Sequence, residues 1–200
     1  MTRNPGYGPH AAILVCSTRA AEGVYPDRTG PLIERWLEER GWTYTLEVVP
    51  DGPRIGEEIS RAITSENTVL VITSGGTGVS PTDVTPEQTA PLLGKELPGV
   101  AEEIRRRGTA NTPTAILSRG LAGIAGGTVV VNLPGSPGGV QDGLSVLAEV
   151  VDHLLDQVSG ADHCAWNRPS PRSCTPAWDP NRLTPRTSRH WSATPAAVPW

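Results

Sequence analysis

Short uninterrupted apolar runs alternate along this chain with stretches whose apolar residues recur every three or four positions. Residues 11–17 (AAILVCS), 69–73 (VLVIT) and 128–131 (TVVV) read as strands buried on both faces. Thr43–Val49 alternates, with Tyr44, Leu46 and Val48 on one face, and reads as a further strand. Between them lie helical periods. Gly30-Pro31 opens one helix, with the proline in the first turn, where its missing N–H costs nothing; Leu32, Ile33, Trp36 and Leu37 form its stripe and Gly41 ends it. Ile55, Ile59, Ala62 and Ile63 mark a second. Pro98 opens a third, which Gly108 is expected to end. Pro137 opens the last, capped by Ser136, with a stripe from Val140 through Leu144, Leu147 and Val151 to Val158, and Gly160 ends it. Residues 18–29 read as a polar loop. Thr85-Pro86-Glu87-Gln88 reads as a capping box, with Thr85 as N-cap. Strands alternating with helices predict an α/β fold: a three-layer domain with a mostly parallel sheet between helices.

The pattern stops at Gly160. Beyond it prolines recur at 169, 171, 176, 180, 185, 195 and 199, among arginines and isolated tryptophans at 166, 178, 191 and 200, and no apolar period survives. The chain therefore divides into a domain over 1–160 and a Pro/Arg/Trp-rich tail over 161–200, expected to be disordered. This division explains why only 37% of the 200 residues are hydrophobic.

Charge and composition narrow the function classes. The net charge of -4, without a long basic run, argues against nucleic acid as a partner. No apolar run approaches the roughly 18 residues that span a bilayer, and residues 1–10 lack a signal-peptide core. The three cysteines suggest no disulfide framework; Cys16 lies in an apolar run as a core residue, and His163, Cys164 and Cys174 lack zinc spacing. A soluble, cytoplasmic protein is expected.

The chemistry gathers where parallel sheets bind ligands, beyond the carboxyl ends of the strands. Ser74, Gly75, Gly76, Thr77 and Gly78 follow one buried strand directly. Asn132, Leu133, Pro134, Gly135 and Ser136 follow another, so both loops can face one pocket. Consecutive glycines let backbone N–H groups converge on an anion, and a tight strand-to-loop turn fits the same residues. The loop is not a P-loop, since the Gly-Lys-Ser/Thr ending is missing and Lys95 is the only lysine. Pro134-Gly135-Ser136-Pro137-Gly138 fails as a nucleophile elbow because Pro134 replaces the first glycine, which leaves anion binding at a helix start. Asp83, just before Thr85, could hold Mg²⁺ against a triphosphate or act as a turn residue. Asp51 ends a strand at the same edge, although an Asx-turn before Gly52-Pro53 fits it better locally. Ser118-Arg119-Gly120 could bring a cation to the anion or form a solvated turn.

Residues 74–87 (SGGTGVSPTDVTPE) resemble the signature of the molybdopterin adenylyltransferase family, the MogA/MoaB type related to gephyrin-like proteins. The resemblance extends through Leu97-Pro98-Gly99, 113–119 (PTAILSR) and 131–137 (VNLPGSP), and covers about residues 10–160. It implies that AMP passes from Mg²⁺–ATP to the terminal phosphate of molybdopterin. It also implies Asp83 and Asp51 as the acidic positions serving metal and transfer, with Asp83 as the metal ligand. The cofactor-binding positions it implies are Ser74, Gly75, Gly76, Thr77, Gly78, Ser118, Asn132, Pro134, Gly135 and Ser136. A homo-oligomer, trimer or hexamer, and a downstream molybdate-insertion protein are the implied partners. The family often carries arginine ahead of the aspartate, where this chain has Thr82. The alternative is a non-catalytic molybdopterin-binding or scaffolding protein of the same pathway. Thr82 and the tail lean toward it, while the two aspartates beside an intact glycine loop lean toward the enzyme.

Overall fold

The computed structural model describes residues 8–24 and 26–160. The tail and its disorder, the domain boundary after 160, and His163, Cys164 and Cys174 therefore lie outside the described residues. In chain order the elements are β1 (His10–Cys16), α1 (Thr18–Ala21), α2 (Gly30–Glu39), β2 (Thr43–Val49), α3 (Arg54–Thr64), β3 (Thr68–Ser74), α4 (Thr85–Thr89), β4 (Lys95–Glu96), α5 (Pro98–Asn111), β5 (Ala122–Ala125), β6 (Thr128–Leu133) and α6 (Pro137–Val158). Short 3-10 turns occupy Ala90–Leu92 and Pro113–Leu117.

The sheet has six strands in the order β2-β1-β3-β6-β5-β4. The first four are parallel, and at one edge β5 runs antiparallel to both of its neighbours, β6 and β4. Strand alternation divides the core in two. Ala11, Ile13 and Val15 of β1, with Leu70, Ile72, Val129 and Val131, pack beneath α2, α5 and α6. Ala12, Leu14 and Cys16, with Val71 and Val130, pack against Ile55 and Ile59 of α3. Helices thus cover both faces, and every residue of β3 and β6 is buried. This is the three-layer, mostly parallel arrangement expected from the apolar runs. No helix among the described residues is long and apolar enough to cross a membrane.

Three local expectations differ from the structure. Residues 18–21 are not loop: Thr18–Ala21 makes one helical turn, because the Ser17 hydroxyl accepts from the Ala20 N–H at 3.3 Å. Gly108 does not end α5, which continues to Asn111. That glycine serves packing instead, since a Cβ there would lie 2.8 Å from Ala115 Cβ. Thr85 is not an N-cap, because its hydroxyl leaves its own helix for the glycine loop.

Candidate functional site

The loops after β3 and β6 are bound to each other. The Ser74 hydroxyl donates to the Pro134 carbonyl at 3.1 Å, and the Gly75 N–H donates to the Leu133 carbonyl at 3.1 Å. Gly75 sits at φ +105°, where its absent Cβ would lie 2.3 Å from the Cys16 carbonyl oxygen; Gly76, at φ +61°, would meet Thr85 Oγ1 at 2.3 Å. Both glycines are required by close backbone approach as well as by positive φ.

The loop's polar groups are sorted by direction. The Gly75 carbonyl accepts from the Thr85 hydroxyl at 3.0 Å and the Gly76 carbonyl from the Thr85 N–H at 3.1 Å. The Thr77 carbonyl accepts from the Arg119 N–H at 2.8 Å, and the Gly78 carbonyl from Arg119 Nε at 2.7 Å. Four successive carbonyls are therefore committed. Among the described residues no hydrogen bond uses the N–H groups of Gly76, Thr77 or Gly78. Successive uncommitted N–H groups on glycine-rich backbone form an anion-binding concavity. The Gly75 N–H, expected among the phosphate donors, is already spent on Leu133.

Arg119, read from sequence as a cation for the anion or part of a solvated turn, is committed to the protein itself. Besides its bonds to Thr77 and Gly78, its guanidinium donates to the Asp83 carbonyl at 2.6 Å and pairs with Glu87. The Arg119 hydrogen bond holds the Glu87 carboxyl below its ordinary range. The residue holds the loop rather than a ligand.

A cavity of about 870 Å³ opens on this loop. Of the residues singled out from sequence, Gly76, Thr77, Gly78, Asp83, Ser118, Pro134, Gly135 and Ser136 line it. Ser74, Gly75, Asn132 and Asp51 do not. Asn132 faces inward: its amide donates to the hydroxyls of Thr73 and Thr89, each at 3.0 Å, and its carbonyl accepts from the Leu121 N–H at 3.1 Å. Asp51 lies behind the loop, where Oδ2 accepts from the Thr18 N–H at 3.0 Å and the Thr18 hydroxyl at 2.9 Å. Its Oδ1 is 3.3 Å from the position a Gly76 Cβ would take. Asp83 Oδ2 accepts from the Ser80 N–H at 2.9 Å, so the turn role and the place in the cavity wall coincide. Ser136 caps α6 by accepting from the Gly139 N–H at 3.2 Å.

Two lining residues were not anticipated. Arg105 of α5 donates to the carbonyls of Ser118, at 3.4 Å, and Gly120, at 3.1 Å. It stands one turn beyond buried Ala101 and beside Ile104, and a charge beside the apolar stripe of an amphipathic helix was the available signal. Asp142 of α6 lines the opposite end and accepts from the Asn111 amide at 3.3 Å. Asp83, Arg105 and Asp142 are the charged residues among those lining the cavity. Among the described residues no group of three or more His, Cys, Asp or Glu could hold a metal by itself.

Comparison with known proteins follows the same outline. The profile described as "Probable molybdopterin binding domain" matches residues 12–153. The molybdopterin adenylyltransferase of Escherichia coli (strain K12) is 38% identical over 147 residues, covering 72% of this chain and 75% of that protein. The molybdenum cofactor biosynthesis bifunctional protein of Chlorobaculum tepidum is 38% identical over 158 residues, covering 78% of this chain and 51% of that protein. The chain thus spans about half the length of that relative. In three dimensions the Mog protein of Mycobacterium ulcerans superposes with a TM-score of 0.73 at 55% identity, over 76% of this chain and 99% of that one.

Proposed function

The chain belongs to the molybdopterin-binding domain family of molybdenum-cofactor biosynthesis, and from that premise we propose that it transfers AMP from ATP to the terminal phosphate of molybdopterin. A phosphate oxygen of molybdopterin bonds to the α-phosphorus of ATP, the bond from that phosphorus to the α–β bridging oxygen breaks, and pyrophosphate leaves. The nucleophile is already ionised, so the reaction needs no strong base. Positioning and charge neutralisation carry it.

The observation that supports this reading is the sorted loop. With the carbonyls of 75–78 tied to Thr85 and Arg119, the N–H groups of Gly76, Thr77 and Gly78 remain for phosphate, in a cavity also walled by Pro134, Gly135 and Ser136. Asp83 stands at that end of the cavity, and its Oδ1 makes no hydrogen bond among the described residues. One carboxylate together with substrate phosphates is a donor set that suits Mg²⁺, which keeps waters and seldom takes an all-protein cage. Held by Asp83, the ion supplies neutralisation of phosphate charge. Asp51 acts at one remove, by fixing the start of α1 behind Gly76. We place the enzyme in the cytoplasm as a homo-oligomer, trimer or hexamer, handing its product to a molybdate-insertion protein.

The test is direct. Purified protein with molybdopterin and Mg²⁺–ATP should release pyrophosphate and form the adenylylated pterin. Asp83→Asn should lower that rate on the order of 10²-fold with little change in stability. Pterin binding without pyrophosphate release would favour the scaffolding role. An Asp83→Asn variant as fast as the parent would remove the metal assignment.

A further inference from the structure

The far end of the cavity differs in chemistry from the glycine loop. It is walled by α5, the 3-10 turn Pro113–Leu117 and the first turns of α6, and its polar groups are the side chains of Asn111, Thr112, Thr114, Gln141 and Asp142. Four of these are neutral amides or hydroxyls. The fifth is a carboxylate with no ion pair among the described residues, because the nearby Arg105 is turned onto the carbonyls of Ser118 and Gly120. The phosphates belong at the glycine loop, where the N–H groups of Gly76, Thr77 and Gly78 are uncommitted among the described residues and Mg²⁺ held by Asp83 would offset the charge. The neutral remainder suits a heterocycle.

Asp142 is placed with some care. Its Oδ1 accepts from the Asn111 amide at 3.3 Å. Its Oδ2 lies 3.8 Å from where a Gly108 Cβ would be, and Ala115 keeps that position free of any side chain. Both oxygens keep lone pairs for a ligand, since a carboxylate accepts about four hydrogen bonds.

Building on the transferase reading above, we infer that Asp142, braced by Asn111, determines specificity for the pterin by accepting from its aminopyrimidinone edge. That edge carries a ring N–H beside an exocyclic NH₂, two donors side by side, which match the two oxygens of one carboxylate. Adenine shows an amino donor beside a bare ring nitrogen, so one carboxylate oxygen would face a lone pair. The cavity thus orients the pterin with its edge at α6 and its phosphate at 76–78, and excludes adenine from the same end.

The experiment uses the full chain with 6-hydroxymethylpterin, followed by its fluorescence, and with Mg²⁺–ATP, followed by calorimetry. Asp142→Asn replaces one acceptor by a donor. It should weaken the pterin on the order of 10- to 100-fold, leave ATP affinity within about twofold, and keep the thermal midpoint. Asn111→Ala should weaken the pterin in the same direction by a smaller factor. Unchanged pterin affinity in Asp142→Asn, or an equal loss for ATP, would overturn the inference. A parent protein that binds the pterin fragment but is insensitive to Asp142→Asn loses only this assignment, whereas a parent that forms no adenylylated pterin loses the function proposed above.

Discussion

Arg119 donates from Nε to the carbonyl oxygen of Gly78 at 2.7 Å, which ties the last glycine of the loop to the segment ahead of β5. The same guanidinium holds the Asp83 carbonyl and Glu87. Arg119→Ala should cost about 1–2 kcal/mol, since charge-assisted bonds are partly discounted by exposure. It should lower adenylyl transfer by about tenfold or more. Arg119→Lys should recover most of the stability but little of the rate, because an ammonium cannot span carbonyls and carboxylate in one plane. Urea midpoints and pyrophosphate release check both; equal recovery of rate and stability by lysine would contradict the geometry.

Two glycines should respond in opposite directions. Gly75→Ala combines positive φ with a Cβ 2.3 Å from the Cys16 carbonyl, and should cost about 2–4 kcal/mol or prevent folding. At Gly99, in the first turn of α5, a Cβ meets nothing within 4 Å, so Gly99→Ala should gain up to about 1 kcal/mol. Thermal melts of the two variants give the comparison directly.

Asn132 offers a third contrast. Replacing it by alanine strands the Thr73 hydroxyl in the interior and leaves the part-buried Leu121 N–H without its acceptor, while the Thr89 hydroxyl keeps its bond to the Thr85 carbonyl at 2.8 Å. The expected loss is about 2–4 kcal/mol. ATP and pterin affinities of the folded fraction should stay within about threefold, because the side chain does not reach the cavity. A variant of normal stability that has lost its ligands would return Asn132 to the binding set.

These residues show what the chain makes legible. Runs such as 11–17 and 69–73 carry their burial in their composition, so the sheet and its covering helices follow from the apolar pattern alone. The antiparallel edge was also written locally. Gly126-Gly127, at φ +57° and +91°, joins β5 to β6 as a two-residue hairpin, and a Gly-Gly pair before an apolar run is the sequence signature of that turn. Direction was less legible. Nothing in SGGTG tells that the Gly75 N–H turns inward while those of 76–78 do not, because Thr85 and Arg119 impose that sorting from 10 and 41 residues away. Asn132 adjoins the loop in sequence yet faces the core, since alternation along β6 sends its side chain toward Thr73 and Thr89.

The folded state should weaken in alkali. Burial pushes the Cys16 thiol from 9.0 up to about 12, with the Asp51 charge adding to it and a hydrogen bond with Thr85 opposing. The Tyr44 hydroxyl rises from 10.0 to about 12, chiefly through its bond to Glu38. Below pH 9 both states keep these protons and the contribution is constant. Between about pH 9 and 12 the unfolded chain releases them first, so stability falls as pH rises. The Cys16 share is at most about 1.4 kcal/mol per pH unit. Cys16→Val should flatten the decline over that window, as read from denaturant midpoints at successive pH values; an unchanged slope would deny the thiol its buried, protonated state.

The β3–β6 pairing has a consequence for the chain's birth on the ribosome. β1 lies along one edge of β3, but the strand for the other edge is β6, whose register joins Leu70 to Val129 and Ser74 to Leu133. While residues 75–133 are being translated, at roughly 5–20 residues per second, the emerging chain carries for some seconds an apolar strand with one open edge. That interval is the nascent polypeptide's window for adhesion to neighbours and for chaperone attention. The edge closes when β6 pairs, and the same segment then delivers Pro134 and Gly135 to the phosphate end of the cavity, so completion of the sheet and the start of the ligand wall are one event in synthesis.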